Sequence, residues 1–262
     1  MDFLDALSQR VIVYDGATGT ALQRANLTED DFGGTEFAGC NELLNVTRPD
    51  VVAQIHAGYF EVGADVAETN TFGAFAVPLA EYGIADRAYE LAHAAGSIAA
   101  GVAADYSTTD RRRYVAGSIG PGTKLASLGQ IRYAELRDAY EPLARGLLDG
   151  GVDLFIIETM YDLLTLKGAV AACRRAMEAA GRRVPLQVQV TIETTGRMLP
   201  GTEIGAALAA IEPLGPDVIG LNCATGPQAM DERRRSLARH SRSRSAVVPK
   251  AGLPVLGDGE VS

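Results

Sequence analysis

The sequence predicts an α/β chain of the (β/α)8 barrel type, and three observations carry that expectation. Strand-like and helix-like segments alternate along nearly all of the 262 residues. The strand segments are short and almost wholly apolar, as in a parallel sheet covered by helices. The repeats are regular and lack a strong dinucleotide-binding glycine fingerprint, which favours a barrel over a doubly wound sheet. Seven strands are counted and an eighth is not found, so the expectation is one barrel domain over residues 1–262, incomplete at its C-terminus.

Each unit has a local reason. Residues 1–10 alternate apolar and charged positions at helical spacing and read as a lead-in helix. The β-branched run Val11 to Tyr14 is the first strand and stops at the glycine-punctuated loop Asp15 to Thr20. Residues 26–45 are polar and cross the surface. Pro49-Asp50 opens a helix whose Val51, Val52, Ile55, Tyr59 and Phe60 recur on one face, and Gly63 stops it. The second strand is 65–69, followed by an alanine-rich helix over 85–104; the third strand is 114–117. An amphipathic helix over 133–149 closes at Gly150-Gly151. The fourth strand, 153–157, ends on Glu158-Thr159 and leads to a helix over 161–180. Strands five to seven fall at 185–191, 217–221 and 246–249, separated by helices over 203–212 and 230–241.

Composition narrows the function classes. Hydrophobic residues make up 47% of the chain, enough for a substantial core. A net charge of −9 argues against broad nucleic-acid binding. No apolar run approaches the roughly 20 residues of a membrane helix, and the acidic N-terminus lacks the basic start of a signal peptide. Three scattered cysteines, Cys40, Cys173 and Cys223, do not form a disulfide framework, which points to a reducing, cytoplasmic setting. With three histidines, all inside predicted helices, a histidine-rich metal site is not expected.

In a barrel the chemistry sits where the strands end. The polar residues at those ends are Asp15, Glu68, Asn70, Thr71, Ser118, Glu158, Glu193, Asn222 and Cys223. Asp15 precedes a glycine-rich turn, where a carboxylate can hold an ammonium group or serve only as a solvated turn residue. Glu158 ends the most hydrophobic strand; its carboxylate faces the barrel mouth or caps a helix with Thr159. Asn70 and Thr71 donate to an anionic group or shape their turn. Cys223 has three readings: a buried inert thiol, a nucleophile without a nearby histidine, or a metal ligand short of partners.

Seven stretches taken together, in this order, carry a resemblance. They are Asp15 to Thr20, Gly39-Cys40-Asn41-Glu42, Glu68 to Gly73, Gly117 to Gly122, Glu158-Thr159 with Asp162, Gly220 to Pro227, and Ala251 to Pro254. Each alone is weak; in register they resemble the homocysteine S-methyltransferase (homocysteine-binding) domain family, in its cobalamin-dependent methionine synthase branch. The resemblance runs from about Val11 to Gly257. It implies a zinc-dependent (β/α)8 barrel in which three cysteine thiolates bind the metal and homocysteine sulfur takes the open position. Zinc would lower the thiol pKa so that a thiolate attacks the methyl group. Methylcobalamin would be the methyl donor, recharged from methyltetrahydrofolate, with cobalamin and folate domains as partners. By resemblance Cys223 is the first zinc ligand. Asp15 and Glu158, with the backbone at Gly16, hold the amino-acid moiety of homocysteine, and Asn70 and Thr71 lie near the same pocket.

The departures are specific. The family draws its other two zinc ligands from an adjacent cysteine pair after the eighth strand, and no such pair occurs here. Thr18 stands where the family has methionine, and Lys250 where asparagine is expected. The expectation is therefore methyl transfer to homocysteine by a module that is inactive alone, with a non-catalytic homocysteine-binding product as the alternative.

Overall fold

Pro49 at the first position of a helix and Gly63 in a left-handed turn two residues beyond its end set the style of this chain: most elements start and stop where the sequence says they must. The computed structural model describes residues 1–223, 226–249, 256–257 and 260–261. The chain begins with α1 (Phe3–Gln9), α2 (Thr18–Arg24), α3 (Leu44–Thr47) and α4 (Pro49–Glu61). Then follow β1 (Val66–Glu68), α5 (Ala76–Leu79), α6 (Ala88–Tyr106), β2 (Tyr114–Ile119) and α7 (Tyr133–Asp149). Next come β3 (Leu154–Met160), α8 (Leu163–Ala180), β4 (Leu186–Val190), α9 (Ile204–Ile211) and β5 (Val218–Asn222). The last elements are α10 (Pro227–His240), β6 (Arg244–Val248) and a short antiparallel pair, β7 (Leu256–Gly257) with β8 (Glu260–Val261).

Strands β1 to β6 form one parallel sheet in sequence order. Side chains alternate across it. Val115, Ile119, Phe155, Ile157, Val188 and Leu221 pack outward under the helices. Val66, Tyr114, Ala116, Leu154, Ile156 and Val218 face the interior of the curled sheet, together with Ile12. Helix α1 plugs the end of that interior where the strands begin: Phe3 and Ala6 join the same cluster, and the Phe3 and Tyr114 rings meet edge to face at 5.7 Å. Beside it the buried Asp65 carboxylate binds Arg10 and Arg111. The strand-start end is thus built for stability and the strand-end face is left for polar groups.

One expectation is corrected. The predicted first strand, Val11 to Tyr14, contributes only a parallel bridge from Tyr14 to Val66, so six strands rather than seven form the sheet. The cause is local. The amide of Val13 is taken by the Asp65 side chain at 3.0 Å instead of a strand partner, and its carbonyl accepts from both Asp65 and Val66. The antiparallel pair at 256–261 was not expected. Lys250 and the matched stretch Ala251 to Pro254 lie outside the described residues, as do Ala224 and Thr225. Among the described residues no helix is long and apolar enough to cross a membrane.

Candidate functional site at the strand ends

Each inward row is apolar at the strand start and polar at the strand end. On β2 the row is Tyr114, Ala116, Ser118; on β3 it is Leu154, Ile156, Glu158; on β5 it begins at Val218 and ends at Asn222. The polar ends converge. Ser118 Oγ donates to Glu158 Oε1 at 2.7 Å, and Asn222 Nδ2 donates to Glu158 Oε2 at 3.1 Å. Opposite them, Asp15 Oδ2 accepts the Glu68 amide at 2.9 Å, which ties the first loop to the end of β1.

Asp15, Glu68 and Glu158 form an electrostatic unit. Burial pushes the Asp15 carboxyl up to about 8, opposed by the Glu68 amide and reinforced by the charge of Glu158. Glu68 is driven well above the ordinary carboxylate range by burial, then by Glu158, Asp15 and Cys223. Burial also raises Glu158, while its bonds from Ser118, Thr159 and Asn222 pull the other way. The phenol of Tyr14, buried below them and donating to Gln187 Oε1 at 2.9 Å, is raised by burial and by the same three carboxylates. None of the ion pairs among the described residues engages Asp15, Glu68 or Glu158. Among the described residues the mouth therefore concentrates carboxyl groups that no ion pair balances, an arrangement that stability alone does not favour.

Cys223 follows β5 and stands beside this unit, its Sγ 3.6 Å from Thr159 Oγ1. Among the described residues Thr159 and Cys223 are two of three non-glycine residues in the left-handed region, at φ 56° and 57°. The pairing of β3 with β4 shifts register between Ile157 and Met160, so a bulge at Glu158-Thr159 turns both side chains into the mouth. Gly16 packs under Tyr59: a Cβ there would lie 2.9 Å from the Tyr59 ring, so a larger residue would require the tyrosine side chain to shift.

Asn70 and Thr71 are engaged internally. Asn70 Nδ2 donates to the Asn41 carbonyl at 2.7 Å and to Asn45, and Thr71 Oγ1 donates to the Ser118 carbonyl at 2.7 Å. Glu42 accepts the Gly73 amide at 2.8 Å, so the Gly39 to Glu42 stretch clamps the long excursion onto the loop after β1. Asp162 caps α8 through Leu164 and holds the loop after β2 through the Ser127 amide. Glu193 lies beyond β4 and makes no bond to this unit; its backbone closes a turn with Arg197 and Gly196. Cys40 and Cys173 are buried elsewhere, Cys40 against Leu43 and Leu79, and Cys173 on the inner face of α8. Burial pushes the Cys40 thiol up to about 11. A groove at the strand-start end has no comparable charge pattern: its Arg174, Arg182 and Arg183 are spent on the carbonyls of Leu214, Leu148 and Val152 and on Asp217.

Glu68 and Asn222 are visible in the sequence as polar strand-end residues without a defined contact, and Thr159 as a helix-cap candidate within a matched stretch. Their importance comes from the bulge and from cross-strand register, for which the sequence carries no local signal. A metal fits poorly with what is described: no group of three or more His, Cys, Asp or Glu able to hold an ion occurs among the described residues.

A family described as homocysteine S-methyltransferase matches residues 12–262. The chain is 59% identical over 256 residues to methionine synthase of Mycobacterium tuberculosis and 58% identical to that of Mycobacterium leprae. These alignments cover 98% of this chain and 21% of either relative, so the chain spans about a fifth of their length. The homocysteine methyltransferase MmuM from Escherichia coli shares the fold. Its metallated form superposes with a TM-score of 0.77 at 19% identity, covering 95% of this chain and 86% of that one. Its oxidized form gives 0.78 at 20%. On the family match and these relatives, the chain belongs to the homocysteine S-methyltransferase family.

Proposed function

We propose that this chain is the homocysteine-binding module of a cobalamin-dependent methionine synthase, serving methyl transfer to the homocysteine thiol to give methionine. The observation that carries the reading is the gathering of Asp15, Glu68 and Glu158, with no ion-pair partner among the described residues, beside the Cys223 thiol. An amino acid with a thiol answers both halves. Its ammonium group supplies the missing positive charge to Asp15 and Glu158, and its sulfur reaches toward Cys223. The backbone at Gly16 lies against the amino-acid end. Asn70 and Thr71 hold the wall of the pocket through their bonds to Asn41, Asn45 and Ser118. The six-stranded sheet is read as the larger part of a (β/α)8 barrel, a single domain over residues 1–262.

Family membership implies zinc to acidify the substrate thiol and methylcobalamin, held on a cobalamin domain beside a folate domain, to supply the methyl group. Cys223 is the residue assigned to the metal. One thiolate does not make a zinc site, and the described residues add no complete ligand set. The chain's own residues bind and orient: the carboxylates fix the ammonium group, and the Glu158-Thr159 bulge fixes where sulfur can lie. Alone, the 262-residue chain is expected to hold zinc weakly.

A binding module without catalysis is the second reading, favoured by that same incomplete ligand set. Calorimetric titration of the chain with L-homocysteine, repeated on Glu158→Gln, tests the proposal, with metal analysis of the same samples. Binding that weakens more than about ten-fold in the variant supports it, one strong charge-assisted bond being worth that much. Equal binding by both proteins, or none by either, refutes it. Methionine formation when methylcobalamin is supplied would decide against the non-catalytic reading.

A further inference from the structure

Asn222 is 2% exposed and makes three side-chain bonds, all to one dipeptide on another strand. Its Oδ1 accepts the Thr159 amide at 2.9 Å. Its Nδ2 donates to Thr159 Oγ1 at 2.8 Å and to Glu158 Oε2 at 3.1 Å. Facing an amide on one side and a carboxylate on the other fixes which end of the carboxamide is oxygen. The Thr159 hydroxyl already accepts from Asn222, so its own proton is directed at its remaining neighbours, Glu158 Oε2 at 3.4 Å and Cys223 Sγ at 3.6 Å.

The backbone makes the same connection. Thr159 is β-branched and sits at φ 56°; Cys223, next to Asn222, sits at φ 57°. Such conformations persist only where the surroundings over-determine them. Here the surroundings are the Asn222 carboxamide, which holds the bulge on β3, and the Val248 carbonyl on β6, which accepts the Cys223 amide at 3.2 Å.

We infer that Asn222 is a positioning residue which, acting through Thr159, sets the direction of both the Cys223 thiol and the Glu158 carboxylate at the mouth. This deepens the proposed homocysteine site and rests on it only for its purpose. The test needs no homocysteine to bind, so the two readings fail separately.

The test is the rate at which iodoacetamide labels each cysteine of the full chain, mapped by mass spectrometry. Cys40 and Cys173 are buried and serve as internal controls, because their labelling reports unfolding. Thr159→Val removes the hydroxyl at nearly constant volume and is expected to slow Cys223 labelling about five-fold, the worth of one hydrogen bond. Thr159→Ser, which keeps the hydroxyl, restores the parent rate. Asn222→Ala slows labelling to the same extent, and the Thr159→Val, Asn222→Ala pair adds nothing further, since both act on one contact. A merely structural role lowers thermal stability but leaves these rates alone. The inference is overturned if Thr159→Val labels at the parent rate, or if the two effects multiply in the double variant. Should Asn222→Ala expose Cys40 and Cys173, the two Thr159 variants decide alone.

Discussion

Asp15→Asn is expected to make the protein more stable, and increasingly so as pH rises. The Asp15 carboxyl moves from its ordinary 3.8 to about 8 in the fold, first through burial and then through the charge of Glu158. The folded state thus keeps a proton that the unfolded chain loses above pH 3.8, and stability falls as pH climbs from there to about 8. At about 1.4 kcal/mol per pH unit the full cost is about 6 kcal/mol, of which about 2 kcal/mol has accrued by about pH 5.5. Asp15 is partly exposed, and Glu158 and Glu68 ionise more readily once it is neutral, so roughly half survives as a gain. Urea unfolding should show Asp15→Asn stabilised by about 3 kcal/mol at about pH 8.5 and about 1 kcal/mol at about pH 5.5. Asparagine keeps an oxygen for the Glu68 amide, so no bond inside the protein is lost. A variant no more stable than the parent at high pH, or a gain that does not grow with pH, would refute the claim that this carboxylate cluster is held at a cost.

Three further outcomes follow from buried groups outside the carboxylate cluster. His56 is wholly buried, neither ring nitrogen has a hydrogen-bond partner, and burial lowers its pKa from 6.5 to about 4. Its neutral form is stable above pH 6.5; as pH falls toward 4 the unfolded state takes the proton first, so His56→Leu should lessen the acid-induced loss by about 3 kcal/mol in urea melts at falling pH. Gln189 lies opposite the Glu158-Thr159 bulge with both side-chain polar atoms unpaired, so Gln189→Leu should raise stability by about 1–3 kcal/mol at neutral pH, read by the urea midpoint at constant m-value. Asp65→Asn leaves Arg10, Arg111 and Arg113 facing one another without their carboxylate, and should cost about 2 kcal/mol by thermal unfolding, reduced from the fully buried case because two of the arginines are half exposed.

The fold was legible where periodicity and punctuation coincide. Helix α7 spans the predicted Tyr133 to Asp149, because an amphipathic stripe ends at paired glycines. β2 runs to Ile119, past its expected end at Gly117, because Ser118 is polar yet buried, satisfied by Glu158 and the loop after β1. β3 runs on to Met160 through the bulge, which no local pattern announces. The first strand failed for the opposite reason: its β-branched run is real, but a side chain 52 residues away takes the Val13 amide. The candidate site residues are visible as polar groups that end apolar runs, and Asp15, Glu158 and Cys223 are such residues. Which of them share a charge, and which are held by Asn222, depends on register between strands distant in sequence. Asn70 and Thr71 look identical to ligand-facing residues in sequence, yet their side chains are spent on the Asn41 carbonyl and the Ser118 carbonyl of β2.

The central claim is that the mouth recognises an ammonium group held near a thiol. It is tested most directly by calorimetric affinity for L-homocysteine against 4-mercaptobutanoate, which has the same thiol and carboxylate but no amine. The account predicts that the deaminated compound binds at least about ten-fold more weakly, and that Asp15→Asn and Glu158→Gln together erase the difference, because the two carboxylates assigned to the ammonium group are then gone. Equal affinity for the two compounds, or a preference that survives Asp15→Asn and Glu158→Gln together, would contradict it.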